Sequence, residues 1–304
     1  MYFPSIGCLL IGILGGGIIG CTTAYFLTRH PSYNPSTHQI TILEATSIAS
    51  GASGKAGGLL ALWAYPSSIV PLSYRLHAEL AKEHDGAKRW GYRGLNCASI
   101  EAKGQAYEKP MGMDINSKGG EWHKLPKTNG KTSVPSGVPN DLDWVDPSTI
   151  RGYSTMGTPE TTAQVHPYLF TTSMASLATE AGAHIVIGSV TSLDHSTSSG
   201  VKSVTYKLKS TNETHTIPAT DIILSAGPWT SKIFPAAPIS AMRAHSVVIK
   251  AEVAPYAIFS EISLPGGKNG RRGATVSPEM YARPDGTVYA CGLLLKFLSF
   301  LDRC

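Results

Sequence analysis

The first patterned stretch of the chain is LLIGILGGGIIGCTTAYFL, Leu9 to Leu27, where a continuous apolar run gives way to three glycines and then to a second run ending before His30-Pro31. Apolar runs without alternation suit strands buried on both faces. The pattern predicts a strand of the CLLIGIL type, a tight turn and a helix from about Ile18 to Leu27. QITILEA, Gln39 to Ala45, predicts a second buried strand ending in an acidic residue. LSYRLHAELAKEH, Leu72 to His84, places Leu72, Leu76 and Leu80 at helical spacing, with His77 and His84 as packing or surface residues. Another helix is expected from about Pro167 to Ala181, because proline suits a first turn and Gly182 the residue past the end. AHIVIGSVTSL and VTYKLKS alternate like strands, and Ile222 to Leu224 reads as a central strand closing in the turn Ser225-Ala226-Gly227. MRAHSVVIKAEV predicts a later strand, and EMYARPDGTVYACG a hairpin about Asp285-Gly286. Between Lys103 and Asn140, KGG, PKTNGK and PSGVPN predict loops or a weak hairpin.

Composition narrows the class. With 304 residues, 42% of them hydrophobic, the chain can build a core of one large or two ordinary domains. Its net charge of +5 is spread out, with no basic stripe, so nucleic acid is not an expected partner. Five cysteines without a CxxC pair or histidines at ligand spacing suggest neither a disulfide framework nor a zinc site, and point to a reducing, cytoplasmic setting. The uncharged span Met1 to Thr28 approaches the length of a membrane helix, so association with an endomembrane through this apolar end is the alternative. Six glycines between Gly7 and Gly20, and no basic residue ahead of them, favour a strand and turn over an anchor or a secretory signal, and no membrane is obligatory.

The candidate chemistry lies in the glycines. Gly15-x-Gly17-x-x-Gly20 between a strand and a helix permits a tight turn, close approach of a pyrophosphate and close helix packing. Glu44 stands where a dinucleotide fold places the carboxylate that accepts the ribose hydroxyls, although surface capping is the plainer reading of one glutamate. Ser50 to Leu60, SGASGKAGGLL, offers hydroxyls, Lys55 and the unhindered amides of Gly54, Gly57 and Gly58 to an extended diphosphate and a flat ring. As a Gly/Ser segment it also reads as a linker, but the apolar LLALWAYP follows at once.

Together these segments resemble the FAD-dependent oxidoreductase family of the glycine oxidase, D-amino-acid oxidase and sarcosine oxidase type. The likeness runs in order through GGGIIGCTTAYFL, ILEA, SGASGKAGGLL, AQVHPYLFTTSMASLATEAGAHI, IILSAGPWTS and MYARPDGTVYACG. It implies an α/β fold: a three-layer, Rossmann-like FAD/NAD(P)-binding core from about 5–65, 160–195 and 218–235, and a mostly antiparallel substrate domain from about 66–159 and 236–292. It further implies that Gly15, Gly17, Ile18 and Gly20 hold the diphosphate and Glu44 with Ala45 the adenosine ribose. Ser53, Gly57, Gly58 and Leu59 would line the flavin side, Val190 would meet the adenine, and Ala226 with Gly227 would close over the cofactor. The implied reaction is hydride transfer from the amine-bearing carbon of a small amine or amino acid to FAD, with molecular oxygen as acceptor.

A substrate carboxylate would need a cation. Arg283 is the candidate for its bidentate fork, with Tyr281 two residues away, while a surface salt bridge is the plainer reading of that arginine. Arg243 and His245 read as structural, and Trp229 as packing below the flavin. Family members continue past the strand that here reads GTVYACG, whereas this chain ends in LLLKFLSFLDRC, so a truncated, catalytically inactive relative is the alternative expectation. An NAD(P)-linked dehydrogenase fits the opening motif but not the later cofactor segments.

Overall fold

A computed structural model of the chain describes residues 9–104, 137–196, 200–266 and 273–292. The expected loop region is therefore described only at its ends, and the LLLKFLSFLDRC tail lies outside the described residues beyond Gly292. The strands are β1 (Leu9–Leu14), β2 (His38–Glu44), β3 (Leu59–Ala61), β4 (Arg93–Gly94), β5 (Asn96–Lys103), β6 (Ile150–Gly157), β7 (Thr162–Gln164), β8 (His184–Ser196) and β9 (Gly200–Leu208). They continue with β10 (Thr214–Pro218), β11 (Asp221–Leu224), β12 (Ser246–Lys250), β13 (Tyr256–Leu264), β14 (Ala274–Val276), β15 (Glu279–Ala282) and β16 (Thr287–Cys291). The helices are α1 (Ile18–Leu27), α2 (Ala52–Lys55), α3 (Val70–Glu83), α4 (Gly86–Trp90), α5 (Pro167–Glu180) and α6 (Thr230–Ile233). The chain forms two compact units, one of Met1–Ala56, His84–Trp90 and His166–Arg243, the other of Gly57–Glu83, Gly91–Val165 and Ala244–Cys304.

The first unit is built on a six-stranded sheet of order β10-β9-β8-β2-β1-β11, parallel from β8 to β11 and antiparallel through β8-β9-β10. Its three layers follow from burial. Helices α1 and α5 pack against each other, with Cys21, Ala24, Met174 and Ala178 fully buried. Leu14 and Leu43 pack instead with Val204, Tyr206 and Ala219. A strand covered on both faces needs no polar alternation, which is why Ile13-Leu14 and Ile40 to Leu43 are buried without a break. Pro167 opens α5, the His166 ring accepts from the Leu169 amide, and Gly182 past its end takes φ +103°.

One sequence expectation is corrected here. Ile222 to Leu224 are not central: among the described residues β11 pairs only with β1 and forms the sheet's edge. Its apolar run comes from Ile222 and Leu224 packing onto the Leu14-Leu43 cluster. Trp229 is 53% exposed, in a short 3-10 turn, Gly227–Trp229, entered through Gly227 at φ +52°.

The second unit holds a sheet of order β12-β16-β15-β13-β5-β6, with β14 on β13, and a small sheet β3-β7-β4. Among the described residues, parallel pairing in that sheet is confined to β13 with β5. Helix α3 starts at Val70 and buries Leu80, but Leu72 is 52% exposed, so its predicted apolar face is buried only toward the C-terminal end. The β15–β16 hairpin turns through Arg283 to Gly286, closed by the Arg283 amide donating to the Thr287 carbonyl at 2.7 Å, with Gly286 at φ +73°. MRAHSVVIKAEV is a strand only from Ser246 to Lys250.

Candidate functional site

The turn after β1 is shaped by contacts that only glycine allows. Gly15 has φ +120°, and a Cβ there would stand 2.4 Å from the Ser225 carbonyl oxygen and 2.9 Å from the Ala226 Cα. A Cβ on Gly20 would stand 2.0 Å from the Gly15 carbonyl oxygen, so α1 lies almost on the turn. Ser225 Oγ bridges the two segments by donating toward the Leu14 and Gly15 carbonyls at 3.1 and 3.2 Å. Gly17 is the N-cap of α1; it has no capping side chain, and the first turn carries no acidic residue. The positive end of the helix is thus available to an anion.

Side chains complete this cradle. The Gly16 amide donates to Glu44 Oε2 at 2.8 Å, and Glu44 Oε1 accepts from the Thr46 amide and hydroxyl at 2.9 and 3.1 Å. The carboxylate is oriented by the backbone at the end of β2. The Ile18 amide donates to Ser53 Oγ at 2.9 Å, which leaves the Ser53 hydroxyl proton able to donate to a phosphate oxygen. Ser53 comes from α2, a single helical turn inside the small-residue segment. Thr46, hydrogen-bonded also to Ser50 at 2.6 Å, was not singled out in the sequence; its place two residues past Glu44 is the signal that marks it. Ala45 is exposed beside Glu44, and Ala226 starts the turn that carries Gly227. Val190 lies apart from these, in the β8–β9 ladder next to a bulge and packed on the Leu14-Leu43 cluster.

Gly57, Gly58, Leu59, Tyr281 and Arg283 all belong to the second unit. A Cβ on Gly57 would meet Tyr281 Cδ2 at 2.2 Å and Tyr289 Cδ1 at 3.1 Å, so this glycine lets the chain lie on two stacked rings. Leu59 packs on the cluster containing both tyrosines, and the Gly58 carbonyl, at φ +90°, accepts from the Val165 amide at 3.0 Å. Arg283 is 9% exposed, with its guanidinium 4.8 Å over the Tyr289 ring. Burial lowers its pKa, opposed by the charges of Asp285 and Tyr289. The Tyr281 hydroxyl donates to Glu279 Oε2, and burial first, then that carboxylate, raises the phenol's pKa. The structure adds two residues here that the sequence left unmarked: Arg93, donating to Gln164 Oε1 and the Ala282 carbonyl, and Gln164 itself. Neither carries a local signal, since each lies in a strand of two or three residues. Arg243 is exposed.

The first unit's turn fits a dinucleotide: a helix N-terminus with no acidic residue in its first turn, glycines without a Cβ, a serine proton and an oriented carboxylate. A family model described as FAD dependent oxidoreductase matches residues 11–294. TDA3 of Saccharomyces cerevisiae is 36% identical over 387 residues, covering 93% of this chain and 73% of that protein. Glycine oxidase from Bacillus cereus has a similar fold, with a TM-score of 0.62 at 20% identity over 93% of this chain and 70% of its own. Iminodiacetate oxidase from Chelativorans is similar at a TM-score of 0.59 and 18% identity, covering 92% and 70%. With the glycine turn, the Glu44 carboxylate and a match along nearly its whole length, the chain belongs to the FAD-dependent oxidoreductase family, and its cofactor is FAD.

Proposed function

We propose that this oxidoreductase oxidises the C–N bond of a small amine or amino acid. Bound FAD supplies the acceptor for the hydride. Gly15, Gly17, Ile18 and Gly20 hold its diphosphate at the α1 N-terminus, with Ser53 donating to it. Glu44 with Ala45 serves the adenosine ribose, Val190 the adenine, and Ala226 with Gly227 closes the turn. Gly57, Gly58 and Leu59 flank the flavin. Molecular oxygen is the final acceptor, and a reducing, cytoplasmic setting suits the buried thiols of Cys21 and Cys97. No helix among the described residues is long and apolar enough to cross a membrane.

The observation that carries the substrate class is Arg283, a guanidinium buried on Tyr289 in the unit that also holds Gly57 to Leu59. The Tyr289 face and the charge of Asp285 already offset part of its burial, and a substrate carboxylate is a further partner that a planar fork suits. Tyr281, with its proton committed to Glu279, orients the edge of this site through its stacked ring. The neighbours of like fold named for glycine and iminodiacetate act on amines that carry carboxylates.

The test begins with the visible spectrum of the purified chain and acid release of its chromophore, followed by a screen of small amines and amino acids for hydrogen peroxide. FAD bands with peroxide from an amino acid are expected, and Arg283→Lys should raise KM for that substrate about tenfold or more, as loss of a bidentate charged pair implies. An FAD-loaded protein that no amine or amino acid bleaches without oxygen would overturn the C–N reading. Bleaching without peroxide in air would overturn oxygen as acceptor.

A further inference from the structure

The Glu44 carboxylate is already largely occupied by the protein's own donors. An ionised carboxylate offers about four lone-pair positions. Three are filled: Oε1 accepts from the Thr46 amide at 2.9 Å and the Thr46 hydroxyl at 3.1 Å, and Oε2 from the Gly16 amide at 2.8 Å. Oε1 is therefore full, and the open position is on Oε2. Thr46 is held in turn. With its one proton on Glu44, its hydroxyl oxygen accepts from the Ser50 hydroxyl at 2.6 Å, and its carbonyl accepts from Lys209 Nζ at 2.9 Å. Lys209 follows β9 directly. Its amide donates to the Ile187 carbonyl at 3.0 Å, and Ile187 is the β8 residue in register with Glu44 on β2. All of these residues belong to the first unit.

We propose that Thr46, pinned by Lys209, makes this site read one ribose hydroxyl rather than the diol: Glu44 accepts a single hydroxyl at Oε2 while Oε1 stays with Thr46. The proposal rests on Glu44 as the ribose ligand and deepens that reading by dividing the work of its two oxygens. A second ribose hydroxyl could reach Oε1 only by displacing the Thr46 hydroxyl. That exchanges one hydroxyl–carboxylate bond for another and gains nothing. Thr46 sets the selectivity because its amide and hydroxyl together saturate Oε1. Lys209 is a positioning residue that acts through the Thr46 carbonyl, a charge-assisted hydrogen bond that ties the exposed turn after β2 to the end of β9.

The probes are ADP, 2′-deoxy-ADP and 3′-deoxy-ADP, each competing with FAD for the full chain, with FAD binding read by flavin fluorescence. In wild type one deoxy nucleotide should compete as ADP does, and the other about tenfold or more weakly, the worth of a hydroxyl on a charged acceptor. Thr46→Val keeps the amide but opens a position on Oε1, so the tolerated deoxy nucleotide should become about threefold or more weaker than ADP. Lys209→Met should move the same ratio in the same direction by less, and Lys209→Arg should keep the wild-type pattern. A general loss of stability would weaken all three nucleotides alike and leave the ratios unchanged. If Thr46→Val fails to fold, the wild-type pair and Lys209→Met still decide. Equal weakening by both deoxy nucleotides in wild type would overturn the proposal, as would wild-type ratios in Thr46→Val or Lys209→Met. Two deoxy nucleotides that both compete as well as ADP would instead count against Glu44 as the ribose ligand.

Discussion

The first unit makes its candidate site from backbone, the second from side chains. Around α1, the working groups are amides and a carbonyl turn whose spacing depends on Gly15 and Gly20 having no Cβ, with Glu44 and Ser53 added from the next 35 residues. Around the β15–β16 hairpin, the groups are Arg283, Tyr281, Tyr289, Arg93 and Gln164, gathered from strands far apart in the chain. A backbone site is written in consecutive residues because only certain residues permit its dihedrals. A side-chain site depends on which strands pair, and pairing is non-local.

The sharpest way to break this comparison is Gly20→Ala. Its methyl would enter the Gly15 carbonyl, a backbone atom that cannot swing aside, so a loss of roughly 3 kcal/mol or more is expected, together with loss of bound FAD. Urea unfolding and the visible spectrum check it, and a stable yellow variant would show that the turn is looser than its geometry implies. Glu44→Ala should leave the fold intact and weaken FAD binding by about 1.5–3 kcal/mol, the worth of hydrogen bonds to a charged group, with Glu44→Gln in between because its Oε1 can still accept. Flavin fluorescence on titration reads both. Gly57→Ala should cost less than Gly20→Ala, about 1–3 kcal/mol, since its methyl meets a tyrosine ring that can rotate away. Its circular dichroism near 280 nm should change, whereas that of Glu44→Ala should not.

The last effect is on alkaline stability. Burial first, and then the charge of Glu44 for Cys21 and of Glu279 for Cys97, pushes both thiols from their ordinary 9.0 up to about 12. The unfolded chain then loses these protons first, so each thiol's contribution is whole below pH 9 and falls between pH 9 and about 12. Cys21→Ser and Cys97→Ser should flatten the fall in urea midpoint over that range; an unchanged slope would show that the thiols are solvated.

Local pattern carried much of the first unit. β1, the glycine turn, α1 and β2 were legible because an apolar run, three glycines and a terminal glutamate each admit few conformations. The hairpin about Asp285-Gly286 was legible for the same reason. Leu72 misled because helical spacing shows which residues share a face but not how far along the helix the cover extends. Ile222 to Leu224 misled because an apolar run reports covered faces, and an edge strand can have covered faces too.

By itself, then, the sequence determined most of the first unit's elements and the glycine turn, since these rest on dihedrals and periodicities that neighbouring residues dictate, while the family came from the ordered likeness of its segments. Only the tertiary structure decided that β11 is an edge, that Arg283 is buried on Tyr289 and that Arg93 stands beside it. Burial and charge environment are set by strands that meet across more than 180 residues, and no window of the chain contains both sides of such a contact.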